Sequence, residues 1–160
     1  MAIKAADAAN AHSNLGVVLQ AQGRLIEGMQ QLRTAAALKP KDDAVRFNLG
    51  NGLLAMGQPD AAIREFRAAL VLNPDNADAH FNLATILGPR NQLDEAIAHL
   101  RRVIELNPRN ADAYRNLTVA FGLQGRIDAA ISAAEAVVRL EPNSAAAREQ
   151  LQRLLAARGR

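Results

Sequence analysis

Apolar side chains along this chain return every three or four residues, in short stretches that break at regular places. Val45, Leu49 and Leu53 form one such stretch, and Ile63, Phe66 and Leu70 form the next. That spacing is the signature of a helix with one buried face. Gly57 falls in the gap, where a residue in the left-handed region ends a helix at little cost. Pro59 follows at the opening of the second stretch, where its missing N–H would be unpaired in any residue. Pro74 closes the second stretch, since a proline cannot continue a helix and pushes the residue before it toward extended backbone. The pattern predicts helix, turn, helix, turn.

The same pattern is then spelled out along most of the chain. Pro40, Pro74, Pro108 and Pro142 stand 34 residues apart, and Asn14-Leu15-Gly16, Asn48-Leu49-Gly50, Asn82-Leu83-Ala84 and Asn116-Leu117-Thr118 keep the same phase. Gly23, Gly57 and Gly125 mark the inner turns, with Asn91 in the third repeat. Asp42, Asn76, Asn110 and Ser144 follow the closing prolines by two residues and suit the N-cap of the next helix. A fixed period in this range marks stacked units, each burying its apolar face against its neighbours. Small residues on first helices (Gly16, Gly50, Ala84) and second helices (Gly28, Ala62, Ala96, Ala130) let the helices approach closely.

This combination of Leu, Gly or Ala, Gly, Ala and Pro at a 34-residue period resembles the tetratricopeptide repeat family. The resemblance covers residues 9–144. It implies an all-α fold, a right-handed superhelical solenoid of four helix pairs (9–42, 43–76, 77–110 and 111–144) with a concave groove lined by the first helices. The tryptophan that the family often carries early in the first helix is replaced by His12, Arg46, His80 and Tyr114. Residues 145–160 read as a C-terminal solvating helix, with Leu151, Leu154 and Leu155 on one face and charged residues on the rest. Residues 1–8 read as an N-terminal extension too short to cover Leu15 and Val18, so self-association through the first helix is expected. In the third repeat, Pro89 should end the first helix early or bend it.

Composition excludes more than it assigns. There is no cysteine, hence no disulfide framework and no thiolate chemistry. The net charge of +3 is mild, and the basic residues are scattered among Asp and Glu. No apolar run approaches the ~20 residues that cross a bilayer, and the first ten residues lack the layout of a secretory signal. A soluble, cytoplasmic chain is the expectation. His12 and His80 hold equivalent places two repeats apart and cannot share a metal; with His99 they read as half-buried packing residues. No phosphate loop, nucleophile elbow or zinc spacing occurs, so no cofactor and no enzymatic activity is expected. Arg33, Arg67 and Arg101 form a ladder at the repeat period, but no aromatic platform for bases accompanies it, which argues against nucleic acid.

The asparagine line is the feature left over. At ~100° per residue, Asn48 and Asn51 lie opposite the packed side of their helix marked by Leu49 and Leu53. The same surface carries Asn14, then Asp78 and Asn82, then Asp112 and Asn116. A side-chain amide donates and accepts, so a row of them can hold an extended peptide by its main chain. The line is similar to the asparagine ladder in the repeat domain of protein O-linked N-acetylglucosamine transferase, and the resemblance implies a peptide-binding groove with apolar help from Phe47 and Phe81. Arg115 is the one basic residue at the places where chaperone-binding members carry a carboxylate clamp, so that mode is not expected. The reading is a protein or peptide partner in the groove. The alternatives are a substrate-recognition arm of a larger enzyme such as a glycosyltransferase, and an RNA-binding helical repeat.

Overall fold

The structure, a computed structural model, describes residues 2–159, with side chains from residue 7. Helices account for nearly all of it, and no strand occurs among the described residues. In chain order they are α1 (Ala2–Ala21), α2 (Leu25–Leu38), α3 (Asp43–Ala55), α4 (Pro59–Leu72), α5 (Ala77–Leu87), α6 (Leu93–Leu106), α7 (Ala111–Leu123), α8 (Ile127–Leu140) and α9 (Ala145–Arg158). The all-α helix-pair reading holds. The contacts divide the chain into two compact units, residues 1–79 and 80–160. In the first, α1 packs on α2 and α3, α2 on α3, and α3 on α4; in the second, α6 packs on α7, α7 on α8, and α8 on α9.

Turn and cap chemistry lands where local physics puts it. Gly23, Gly57 and Gly125 have φ of 77°, 69° and 70°, and Asn91 substitutes at φ 60°. Asparagine tolerates this region because its short polar side chain can bond locally. The side chains of Asp42, Asn76, Asn110 and Ser144 accept the backbone N–H of Val45, Ala79, Ala113 and Ala147 at 3.0, 2.9, 2.9 and 3.3 Å. Each satisfies one of the orphan donors of a helix start. Pro59 is the first residue of α4. In the third repeat α5 stops at Leu87, and Gly88–Arg90 tightens into a single 3-10 turn around Pro89.

The core is the apolar stripe predicted from spacing. Leu32, Val45 and Phe66 are fully buried in the first unit; Leu83, Leu87, Leu100 and Val103 are fully buried in the second. The small residues are required by approach distance. A Cβ on Gly16 would sit 2.7 Å from Leu32 Cγ, and one on Gly50 would sit 2.6 Å from Phe66 Cε1.

The stretch before the first repeat is helical, since α1 runs unbroken from Ala2 through Ala21. No glycine or proline interrupts this alanine-rich stretch, so nothing stops the helix from continuing toward the N-terminus. Leu15 and Val18 are 47% and 51% exposed all the same.

Candidate functional site

The first-helix face carries the candidate residues, and the structure treats them unequally. In the first unit Asn14 is exposed, while Asn48 and Asn51 are half-buried. Asn48 Nδ2 donates to Ser13 Oγ on α1 at 3.0 Å, and Ser13 is itself buried. One member of the line is therefore a structural bond between first helices. Phe47 is half-buried with its ring 5.8 Å from that of Phe66, so part of its surface belongs to the core. Asp78 is exposed at the start of α5.

In the second unit Phe81, Asn82 and Asn116 are half-buried on α5 and α7. The Asn116 side chain makes no hydrogen bond among the described residues. Asp112 is exposed and accepts from Arg115 at 2.6 Å; Arg115 also donates to Glu141. The bond to Glu141 is the main reason the guanidinium pKa is raised. A cation committed to two carboxylates of its own chain is poorly placed to receive an acidic tail.

A second set of residues comes together that the spacing alone did not announce. Three of the four places that replace the family tryptophan face the side chain 19 residues on, across the helix pair. His12 Nδ1 lies 2.6 Å from Gln31 Oε1, Arg46 Nη1 donates to Glu65 at 2.8 Å, and His80 Nδ1 lies 2.8 Å from His99 Nδ1. Two imidazoles bond this way when one ring is protonated at Nδ1 and the other is not. His99 Nε2 lies 3.7 Å from Glu95 Oε1. His80 and His99 are both half-buried, and they form one hydrogen-bonded pair. The complementary Arg46 and Glu65 carried a readable signal of this cross-helix contact. Among the described residues no three His, Cys, Asp or Glu side chains are grouped to hold a metal.

Arg33, Arg67 and Arg101 are all exposed. No described helix is long and apolar enough to cross a membrane.

Comparison with known proteins completes the picture. Residues 53–119 match a family model described as tetratricopeptide repeat. Over that stretch the chain is similar to tetratricopeptide repeats. Solved structures agree on the fold. A crystal structure of MamA protein is 23% identical, with a TM-score of 0.87 over 96% of this chain and 84% of that one. Pseudomonas aeruginosa pilF is 22% identical, with a TM-score of 0.80 over 97% of this chain and 71% of that one. YrrB, described as a TPR protein with an unusual peptide-binding site, is 24% identical, with a TM-score of 0.77 over 89% of this chain and 73% of that one. No curated protein sequence matches. At these identities the structural likeness speaks for the tetratricopeptide fold.

Proposed function

We propose that the chain is a non-enzymatic protein–protein interaction scaffold that takes an extended peptide segment along the first-helix faces of its repeats. The observation that carries this reading is the recurrence of Asn14, Asn48, Asn82 and Asn116 at the repeat period, with Asn14 exposed and the Asn116 amide free to bond. Amides at a repeat spacing suit the regular donors and acceptors of a peptide main chain. Asn51, Phe47 and Phe81, with the exposed Asp78 and Asp112, are the further residues this reading assigns to those faces. The peptide-binding site named for YrrB supports the class of ligand. Arg115 is held by Asp112 and Glu141, which favours main-chain recognition over capture of an acidic terminus. The bare side chains of Leu15 and Val18 support self-association through α1, to be read by sedimentation of the wild type against Leu15→Glu.

Panning a random peptide display library against the wild type and against the variant with Asn14, Asn48, Asn82 and Asn116 changed to Ala tests the groove. Retention of extended peptides by the wild type and their loss from a folded variant is the expected result. Equal retention by both would sink the asparagine line as a binding device.

A further inference from the structure

The second unit holds an open cavity of about 270 Å³. Leu93, Ala96 and Leu100 of α6 line it from below, and Ala84 and Ala120 line it from the flanking first helices. Val119 and Leu123, 54% and 67% exposed, stand at its mouth beside the free amide of Asn116. No ionisable side chain lines it.

The repeat explains why the space is there. Counting back two periods, Ala84, Gly88, Ala96, Leu100 and Ala120 correspond to Gly16, Gln20, Gly28, Leu32 and Gly52. In the first unit the Gln20 side chain fills this place. A Cβ on Gly28 would meet Gln20 Cγ at 2.8 Å, and a Cβ on Gly52 would collide with the Gln20 amide nitrogen and lie 2.8 Å from Leu32 Cδ1. The second repeat carries the half-buried Leu54 at the same column. The third carries Gly88, and a Cβ there would meet nothing within 4 Å. The chain thus supplies its own plug in one unit and leaves the corresponding socket open in the other.

We propose that this socket binds a single uncharged aliphatic side chain, leucine- or methionine-sized, presented by a peptide whose main chain bonds to Asn116. The inference rests on the peptide-binding reading for the source of that side chain. Three features select the occupant. The plug in the first unit is itself a single side chain entering between the corresponding helices. The lining carries no charge, so a charged side chain would lose its hydration without compensation. The volume is ample for one large side chain, since an apolar cavity of ~150 Å³ accepts benzene. Thr85 is the other polar residue on the wall, and its hydroxyl already donates to the carbonyl of Asn82, which leaves Asn116 to orient the ligand.

The test uses the full chain and N-acetyl-leucine N-methylamide, followed by nuclear magnetic resonance. Saturable shifts confined to the residues around the socket are expected, with a dissociation constant on the order of 1 mM for so small a ligand. Gly88→Leu, which supplies the missing plug, should weaken binding by about tenfold or more. Val119→Glu at the mouth should do the same, and guards against a Gly88→Leu chain that misfolds next to Pro89. N-acetyl-aspartate N-methylamide should give no saturable shift. Absence of binding by the leucine probe, shifts centred elsewhere, equal binding of the aspartate probe, or full affinity in both variants would each overturn the proposal. Display panning separates this from the groove. Peptides retained through the asparagine line while the leucine probe ignores the socket remove the socket alone. A leucine probe that binds while no peptide is retained keeps the socket and removes the groove.

Discussion

The two units share a period, a turn chemistry and a core stripe, yet they fill the same interior places with different matter. In the first, Gln20 plugs the space over Gly28 and Gly52, Arg46 reaches Glu65, and Asn48 ties α3 to Ser13 of α1. In the second, the plug is absent at Gly88, two histidines face each other, and the Asn116 amide is free. Positions that set backbone geometry are constrained by sterics and tolerate only small or turn-forming residues. Positions that merely occupy volume are not, and differences between repeats collect there. A site is best sought at those free columns.

The sharpest way to break this comparison is through the cores. Phe66→Ala should cost about 3–5 kcal/mol, because the ring is fully buried against Gly50 and Phe47. Leu100→Ala should cost about 2–3 kcal/mol, toward the low end for its class, since Leu100 already borders an open cavity. Urea unfolding of the two variants checks the ranking, and the reverse order would mean that the socket is closed in solution.

Next in size is the plug itself. The Gln20 amide nitrogen is buried without a partner. Gln20→Met keeps the unbranched shape and removes that amide, so it should stabilise by about 1–2 kcal/mol. A loss of stability on thermal or urea unfolding would mean the nitrogen has a partner that the fold does not reveal.

The asparagines then separate by sign. Asn48→Ala gives up the bond to Ser13 and should cost about 1 kcal/mol, reduced by the better helix propensity of alanine. Asn116→Ala gives up nothing in the free protein and should gain up to about 0.7 kcal/mol. Equal effects in both would erase the difference between the two units on this face.

The smallest effect belongs to the exposed pair Arg24 and Glu27. The hydrogen bond from Arg24 holds the Glu27 carboxyl below its usual range. Such a group contributes its stabilisation at neutral pH, and that contribution is lost as the pH falls below the ordinary carboxylate range. Arg24→Ala should therefore lower thermal stability only marginally at neutral pH, and wild type and variant should converge at the acid end, where the wild type has already lost that contribution.

Fold and site were legible to different depths, for physical reasons. Gly57, Pro59, Asp42 and Asn110 act on residues within a turn or two of themselves, so their sequence positions already state their roles. The reach of α1 back to Ala2 follows from an alanine-rich stretch with no stop signal. The pairing of His80 with His99 spans two helices and needs the 19-residue columns to be compared side by side; Arg46 with Glu65 shows that the signal was present. The bond from Asn48 to Ser13 depends on how one first helix is rotated against the next, which periodicity alone does not determine. The socket was visible as a column of Gln20, Leu54, Gly88 and Gly122, though only a packed structure shows which of these leaves room.

The packing of sequence neighbours within each unit, α1 on α2, α2 on α3 and α3 on α4, then α6 on α7, α7 on α8 and α8 on α9, also has a kinetic meaning. Contacts close in sequence require little loop closure before they are rewarded, which places such chains at the fast end of folding, in the microsecond-to-millisecond range. It also lets one helix pair open while its neighbours hold, so amide exchange should report graded protection along the chain rather than a single all-or-none event.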